Sequence, residues 1–186
     1  MKKIIFAGIF LLLFTSFLSG CINKEVTPNG KIIYYHVLTV TDETNMQEVI
    51  GFSDYVFIGT VEGINKKTIR NDAPAEYYSV RVEENLKGSL ITDSDIEVIK
   101  MGGYLKNGTL ILYKSDSVVG TGLCTVGEKY IFVGYGQQDG SLLLDCLCGN
   151  TEYTDELKES YLYDFENQID FERERFACKY DPAYEK

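Results

Sequence analysis

Residues 55–61 read Tyr-Val-Phe-Ile-Gly-Thr-Val, and this stretch decides the fold class. It is the most apolar of the candidate strands, and its aromatic and β-branched residues favour extended backbone. Gly59 lies in its middle, where a glycine weakens a strand unless the sheet bends or bulges there. We therefore predict a buried strand that bends at Gly59.

The segments that follow it carry further strand patterns. Residues 77–83 alternate, with Tyr78, Val80 and Val82 on one face, which is typical of an antiparallel strand with one wet face. Asn107-Gly108 predicts a two-residue hairpin turn within residues 104–113. Additional strands are predicted over 31–40, 95–101, 129–135 and 141–147.

Two helices are predicted beside these strands. The first covers residues 41–51, with a capping box at Thr44 and Gln47 and an end at Gly51. The second covers residues 155–176 and has an apolar stripe, acidic residues at its start, and Arg173 and Arg175 at its end, as the helix dipole favours.

These elements predict a mainly β fold with a short N-terminal helix and a C-terminal helix. About five to seven antiparallel strands with a bend glycine favour a small β-barrel, because a barrel removes exposed sheet edges. A sandwich of two sheets fits the same pattern nearly as well.

The N-terminus predicts export. Lys2 and Lys3 precede an apolar run over residues 4–18, which is shorter than the roughly 20 residues of a membrane-spanning helix. Leu18-Ser19-Gly20-Cys21 resembles a bacterial lipobox, in which the chain is cut before the cysteine and the thiol carries a diacylglycerol with acyl chains such as palmitate. We expect a signal peptide over 1–20, a tether over 21–30, a single domain over 31–186, and an extracytoplasmic protein anchored to the bacterial cell membrane through Cys21.

The charge of the chain limits its partners. Loss of residues 1–20 removes two of the 18 basic residues and none of the 28 acidic ones, which leaves a net charge of −12. Such a domain repels phosphate backbones, so no nucleic acid partner is expected. Anionic lipid heads repel it as well, so two acyl chains, and not a basic patch, would hold it at the membrane.

Four cysteines remain after Cys21. They are Cys124, Cys146, Cys148 and Cys178, and an even number in an exported chain favours two disulfides. A bond between Cys146 and Cys148 is the least favoured of the three pairings, since residues two apart on a strand lie near the outer limit of disulfide spacing. Reduced structural thiols are one alternative. A zinc site is the other, although the C-x-C spacing and the single histidine argue against it.

Three segments carry a family resemblance. Residues 52–61, 80–88 and 126–132 resemble, in this order, segments of netrin-like domains and of tissue inhibitors of metalloproteases, and many bacterial lipoproteins share the order. The resemblance implies a five-stranded barrel of the oligonucleotide/oligosaccharide-binding type and no catalytic residues. The inhibitors act through an N-terminal C-x-C whose amine binds zinc. Because the expected N-terminus here is Cys21-Ile22-Asn23, that activity is not carried over.

The remaining candidates point to binding more than to catalysis. The chain has 14 tyrosines and no tryptophan, and Tyr34 and Tyr77 are candidate contact residues because adjacent strand residues point to opposite faces. We expect a non-enzymatic, lipid-anchored domain without cofactor or metal that binds a surface protein or glycan. One alternative is a protease inhibitor that acts through a barrel edge or loop, and another is a hydrolase that uses His36 or paired carboxylates.

Overall fold

The computed structural model describes residues 26–184, which form nine strands and two helices. The mainly β fold with a short N-terminal helix and a C-terminal helix is confirmed. The predicted signal peptide and Cys21 lie outside the described residues. In chain order the elements are β1 (Ile32–His36), α1 (Met46–Phe52), β2 (Tyr55–Arg70), β3 (Ala73–Lys87), β4 (Asp95–Met101), β5 (Gly103–Tyr104), β6 (Leu110–Lys114), β7 (Lys129–Gly136), β8 (Leu142–Leu144), β9 (Asn150–Glu152) and α2 (Asp155–Glu166).

Five strands close into a ring. The hydrogen-bonded order is β2, β3, β4, β8 and β7, and β7 returns to β2, where Tyr55 pairs with Gly134 and Thr60 with Lys129. Most of the pairings are antiparallel, but β4 and β8 run parallel. β9 pairs with β7 beyond β8, and so extends the sheet outside the ring.

The apolar run of β2 is continuous because both of its faces are buried. Tyr55 and Phe57 point into the ring, where Phe57 stacks on Phe132 of β7 with ring centroids 5.0 Å apart. Val56 and Ile58 point outward and pack under the two helices. The predicted alternation of β3 is also confirmed, since Tyr78, Val80 and Val82 all lie inside the ring.

Tyr78 thus lies on the same face of β3 as Val80 and Val82, as the two-residue period of a strand requires.

A second sheet of three strands lies beside the ring in the order β1, β6, β5. β1 runs parallel to β6, and β5 and β6 form the hairpin predicted at Asn107-Gly108. The chain enters this sheet along the hairpin turn, because the backbone N–H of Asn29 donates to the carbonyl of Gly108 (3.0 Å). β1 pairs with β6 alone, so its other edge is unpaired among the described residues.

The helix boundaries differ from prediction. α1 is capped by Asn45, whose side chain accepts from the N–H of Gln47, and the predicted capping box at Thr44 is wrong. The asparagine cap satisfies the same free N–H groups one residue later. Gly51 does not end the helix. It lies against the backbone of Ile169, where a Cβ would come within 1.8 Å of the carbonyl oxygen.

The C-terminal helix ends at Glu166, so its predicted extension to Phe176 is wrong. Asn167 caps it, and the backbone N–H of Ile169 then donates to the carbonyl of Gln47, which draws the chain across α1. Arg173 and Arg175 therefore lie in an irregular segment and not in the last turn of a helix.

Gly59 allows β2 to lie close to β3. A Cβ at this position would lie 2.6 Å from the carbonyl oxygen of Arg81 and 2.8 Å from a methyl carbon of Val80. We predict that Gly59→Ala lowers the free energy of unfolding by about 1–3 kcal/mol, because the ring has to move apart to accept the methyl group. Urea denaturation followed by circular dichroism measures this.

Gly63 provides the matched control on the same strand, since a Cβ there meets nothing within 4 Å. Gly63→Ala should leave the urea midpoint nearly unchanged. Equal losses of stability in the two variants would show that close packing at Gly59 is not the reason for its glycine.

Candidate functional site

The β2–β3 hairpin continues past the point where β2 leaves β7, as an arm made of residues 62–77, and the β3 side of this arm stays paired with β4 from Ala75 onward. β2 leaves β7 after Thr60, and β3 accompanies it as far as the pair Arg70 and Ala73. Asn71 and Asp72 form the turn, and both have positive φ, as the tight hairpin turns require. Within the described residues, the outer edge of β2 from residue 62 to residue 70 has no strand partner.

The arm edge is basic on an otherwise acidic domain. Lys66 and Lys67 are exposed, and Arg70 lies 3.8 Å from Asp139 at the tip. The Lys67 ammonium lies 3.4 Å from the carboxylate of Glu76, a residue that is only 2% exposed. The second oxygen of that carboxylate accepts from the Tyr78 hydroxyl (2.7 Å), so Lys67 is tied to the interior of the fold.

Tyr77, a predicted contact residue, is partly buried on this arm. The Lys66 ammonium lies 5.2 Å from the centre of its ring, a cation–π contact. Lys66 makes no salt bridge to any described residue. Its charge is thus available to a partner, with the aromatic ring of Tyr77 beneath it.

Tyr34, the other predicted contact residue, lies on β1 in the separate three-stranded sheet and is 40% exposed. Its neighbour Tyr35 is equally exposed and meets Tyr113 edge to face at 6.0 Å. The structure therefore places Tyr34 and Tyr77 on different sheets and does not join them in one patch.

The sequence pattern did not reveal the arm. We predicted strands over 55–61 and 77–83, and the polar segment between them contains Pro74, a residue that weakens a strand prediction. The usable signal was Asn71-Asp72, since these two residue types tolerate positive φ. Reading it as a hairpin turn would have extended both strands and placed Lys66 on an edge.

A polar groove of about 430 Å³ lies where the C-terminal segment crosses α1 and β3. Lys87, Arg175, Asp54 and Asp181 are among its lining residues. Burial, aided by the nearby charge of Arg175, lowers the pKa of Lys87 to about 8. The groove combines opposite charges and is open to solvent.

The cations of this groove already have partners within the chain. Lys87 donates to the carbonyl of Ile50 (2.5 Å) and to the side chain of Gln168 (2.7 Å). Arg175 donates to the carbonyls of Gly51 and Ser53. Arg173 donates to the carbonyl of Phe52 and to Asp54. These three side chains cap the C-terminus of α1, so we assign the groove a structural role.

Lys100 is the most deeply buried charge, with 1% exposure. Its ammonium donates to the hydroxyl of Thr121 (3.0 Å) and to the carbonyls of Asp145 (3.0 Å) and Cys146 (3.3 Å). Burial lowers its pKa, and the carboxylate of Asp145 opposes this shift. Three acceptors satisfy all three N–H bonds, so Lys100 fixes the turn that carries Cys146 to the loop at Thr121.

The four predicted disulfide cysteines are all thiols in the structure. Cys124 and Cys178 belong to the core inside the ring, whereas Cys148 lies in the core under the helices with Cys146 against it. The disulfide pairing remains a prediction. Among residues 26–184, no group of three or more histidine, cysteine or carboxylate side chains is arranged to hold a metal ion.

The candidate catalytic groups lie apart and on the surface. His36 lies on β1, where its Nε2 is 3.0 Å from Asp116, a residue with a side chain that is 93% exposed. Glu83 pairs with Lys129, and Glu84 pairs with Lys158. The hydrolase hypothesis gains no assembled acid–base pair from these residues.

Burial raises the pKa of all four described thiols: that of Cys124 and that of Cys148 to about 12, that of Cys146 to about 11, and that of Cys178 as well. An unfolded thiol ionises near its ordinary pKa of 9.0. Above pH 9 the unfolded chain therefore loses protons that the folded chain keeps. Stability that is complete below pH 9 is lost as the pH rises toward 12.

We predict that the reduced protein has a lower free energy of unfolding at about pH 10 than at about pH 7.5. Cys148→Ala should show a smaller loss, because one of the contributing thiols is gone. Urea denaturation in the presence of a reductant measures both. Equal pH dependence in the wild type and in Cys148→Ala would contradict the assignment.

Comparison with known proteins identifies no relative, so the candidate site is assigned from the structure. No model of a known protein family matches the chain, and no curated protein matches it either. None of the helices in residues 26–184 has the length and apolar character needed to cross a membrane. The candidate functional site is therefore the edge of the arm that is free among the described residues, with Lys66 and Tyr77.

Proposed function

We propose that this protein is a non-enzymatic, lipid-anchored domain on the outer side of a bacterial cell membrane, and that it binds another protein through the free edge of its arm. The observation that carries the proposal is the edge of β2 over residues 62–70, which no strand within residues 26–184 pairs with. The expected anchor is Cys21, on the strength of the lipobox resemblance at residues 18–21.

A free strand edge recognises an extended segment of a partner through backbone hydrogen bonds. Lysines on an edge normally prevent indiscriminate pairing between sheets. Here the Lys66 ammonium would select a partner strand with carboxylate side chains, because a strand of lysines or arginines would be repelled. The mature chain has a net charge of −12, so most of its surface repels an acidic partner. Such a partner is attracted only where the domain itself is basic, as at Lys66.

The alternative locations for a binding site are less well supported. The groove at Lys87 has its cations engaged with the carbonyls of α1, so a ligand would have to displace structural hydrogen bonds. The buried Lys100 has all three donors occupied. The arm differs because its backbone edge and the Lys66 ammonium are free among the described residues.

The anchor is tested by the mass of the protein purified from bacterial membranes. We expect a chain that begins at Cys21 and carries a diacylglyceryl group, because the thiol is the acceptor in the lipobox reaction. Cys21→Ser should keep its signal peptide or be released without lipid. An unmodified Cys21 on a processed wild-type chain would overturn the lipid anchor.

The binding edge is tested with Lys66→Glu. We expect this charge reversal to weaken capture of a partner from envelope fractions by about fivefold or more, as a loss of about 1 kcal/mol implies. Captured proteins are identified by mass spectrometry, and the binding of each purified candidate is then measured by titration calorimetry.

Lys106→Glu is the matched control, since Lys106 is an exposed lysine at the β5–β6 turn, in the three-stranded sheet and not on the arm. It changes the net charge by the same amount and should leave binding nearly unaltered. If both variants capture the same proteins as the wild type with equal affinity, the arm is not the binding site.

A further inference from the structure

Exposed apolar side chains are concentrated at the start of the described chain. Of the twelve large apolar residues that are well exposed in residues 26–184, five lie within residues 32–40. We call these five the apolar strip: Ile32 (48% exposed), Tyr34 (40%), Tyr35 (40%), Leu38 (94%) and Val40 (72%). Tyr34 and Tyr35 are adjacent on a strand and lie on the two faces of β1, so the strip borders the edge of β1 that is unpaired among the described residues. Exposed apolar side chains concentrated in this way mark a contact region.

The strip lies beside the point where the chain enters the fold. The carbonyl of Thr27 packs against Gly108, and Asn29 bonds the β5–β6 turn through its backbone N–H (3.0 Å) and through its side chain to Asn107 (2.9 Å). The tether therefore ends near Thr27. Six residue steps separate it from Cys21, which span about 20 Å when fully extended.

The strip also lies in a part of the chain that has no acidic residue. Residues 30–40 contain Lys31 and His36 and no carboxylate, although the full chain has 28 acidic residues. The nearest carboxylate described is that of Asp116, which is 3.0 Å from the His36 ring. A surface of anionic lipid would repel most of this domain but not this segment.

The composition of the strip fits a bilayer interface. Tyrosine rings favour the level of the lipid headgroups, and leucine, isoleucine and valine side chains gain free energy when they leave water. A stable dimer would need roughly 20–30 residues from each partner, far more than five. A tethered contact needs less, because the anchor keeps the local concentration of membrane high.

We propose that the apolar strip rests in the headgroup region of the same membrane that holds the acyl chains of Cys21, so that the β1 edge of the three-stranded sheet faces the bilayer. This inference rests on the proposed lipid anchor. The arm belongs to the other sheet and remains available to a partner.

The absence of tryptophan from the chain makes a direct test possible. Leu38→Trp introduces a single reporter in the strip, and Ile69→Trp places one on the arm, at a residue that is 60% exposed. Each acylated, full-length mature protein is reconstituted into vesicles of phosphatidylcholine and phosphatidylglycerol that contain brominated lipid. We expect a blue shift and quenching of the emission of Leu38→Trp, and neither effect for Ile69→Trp.

Hydrogen exchange of the wild type tests the same contact without an introduced tryptophan, which could itself favour the membrane. The amides of residues 32–40 should exchange more slowly in the acylated protein on vesicles than in the unacylated Cys21→Ser protein in solution. If these amides are equally protected in Cys21→Ser without vesicles, and the protein sediments as a dimer, the membrane contact is overturned. The strip would then bind a second copy of the chain.

The two proposals fail in different ways. A mature chain without lipid in its mass spectrum would overturn the anchor. A protein that is acylated and sediments with vesicles, but whose Leu38→Trp emission is neither shifted nor quenched, would overturn the membrane contact of the strip and leave the anchor intact.

Discussion

The double pairing of β2 is the constraint on which the rest of the structure depends. Over Val56–Thr60 this strand pairs with β3 on one edge and with β7 on the other. No side chain from Tyr55 to Ile58 remains on the surface. The ring closes there, the helices pack on its outward face, and the strand can leave the ring only after residue 60. The free arm is thus a direct result of the closure.

Much of the two sheets could be predicted from the sequence because their signals are local. The bounds of β4 match the prediction, and the turn at Asn107-Gly108 was found from two residues. Parallel pairing of β4 with β8 could not be foreseen, because residues about 45 apart in the chain meet there. β9 was missed for a related reason: its three residues, Asn150–Glu152, are polar and are a strand only because β7 offers an edge.

The arginines near the C-terminus show how a sound physical rule can be applied to the wrong element. Cations do stabilise a helix C-terminus, and Arg173 and Arg175 do so, but at α1 and not at α2. This contact could not be predicted from the sequence, because over a hundred residues separate Arg173 from Phe52 at the end of α1. The candidate site was hidden in a similar way. The residues around Lys66 have no apolar period, and only the pairing with β3 makes them an edge strand.

The buried ammonium of Lys100 also bears on when an oxidant can reach the thiols. Cys124 and Cys148 are each less than 10% exposed in the folded domain. An oxidant therefore reaches them easily only before folding is complete, or during rare opening of the finished domain. Because Lys100 joins Thr121 to the turn at Cys146, oxidation of these thiols competes in time with the closure of that contact.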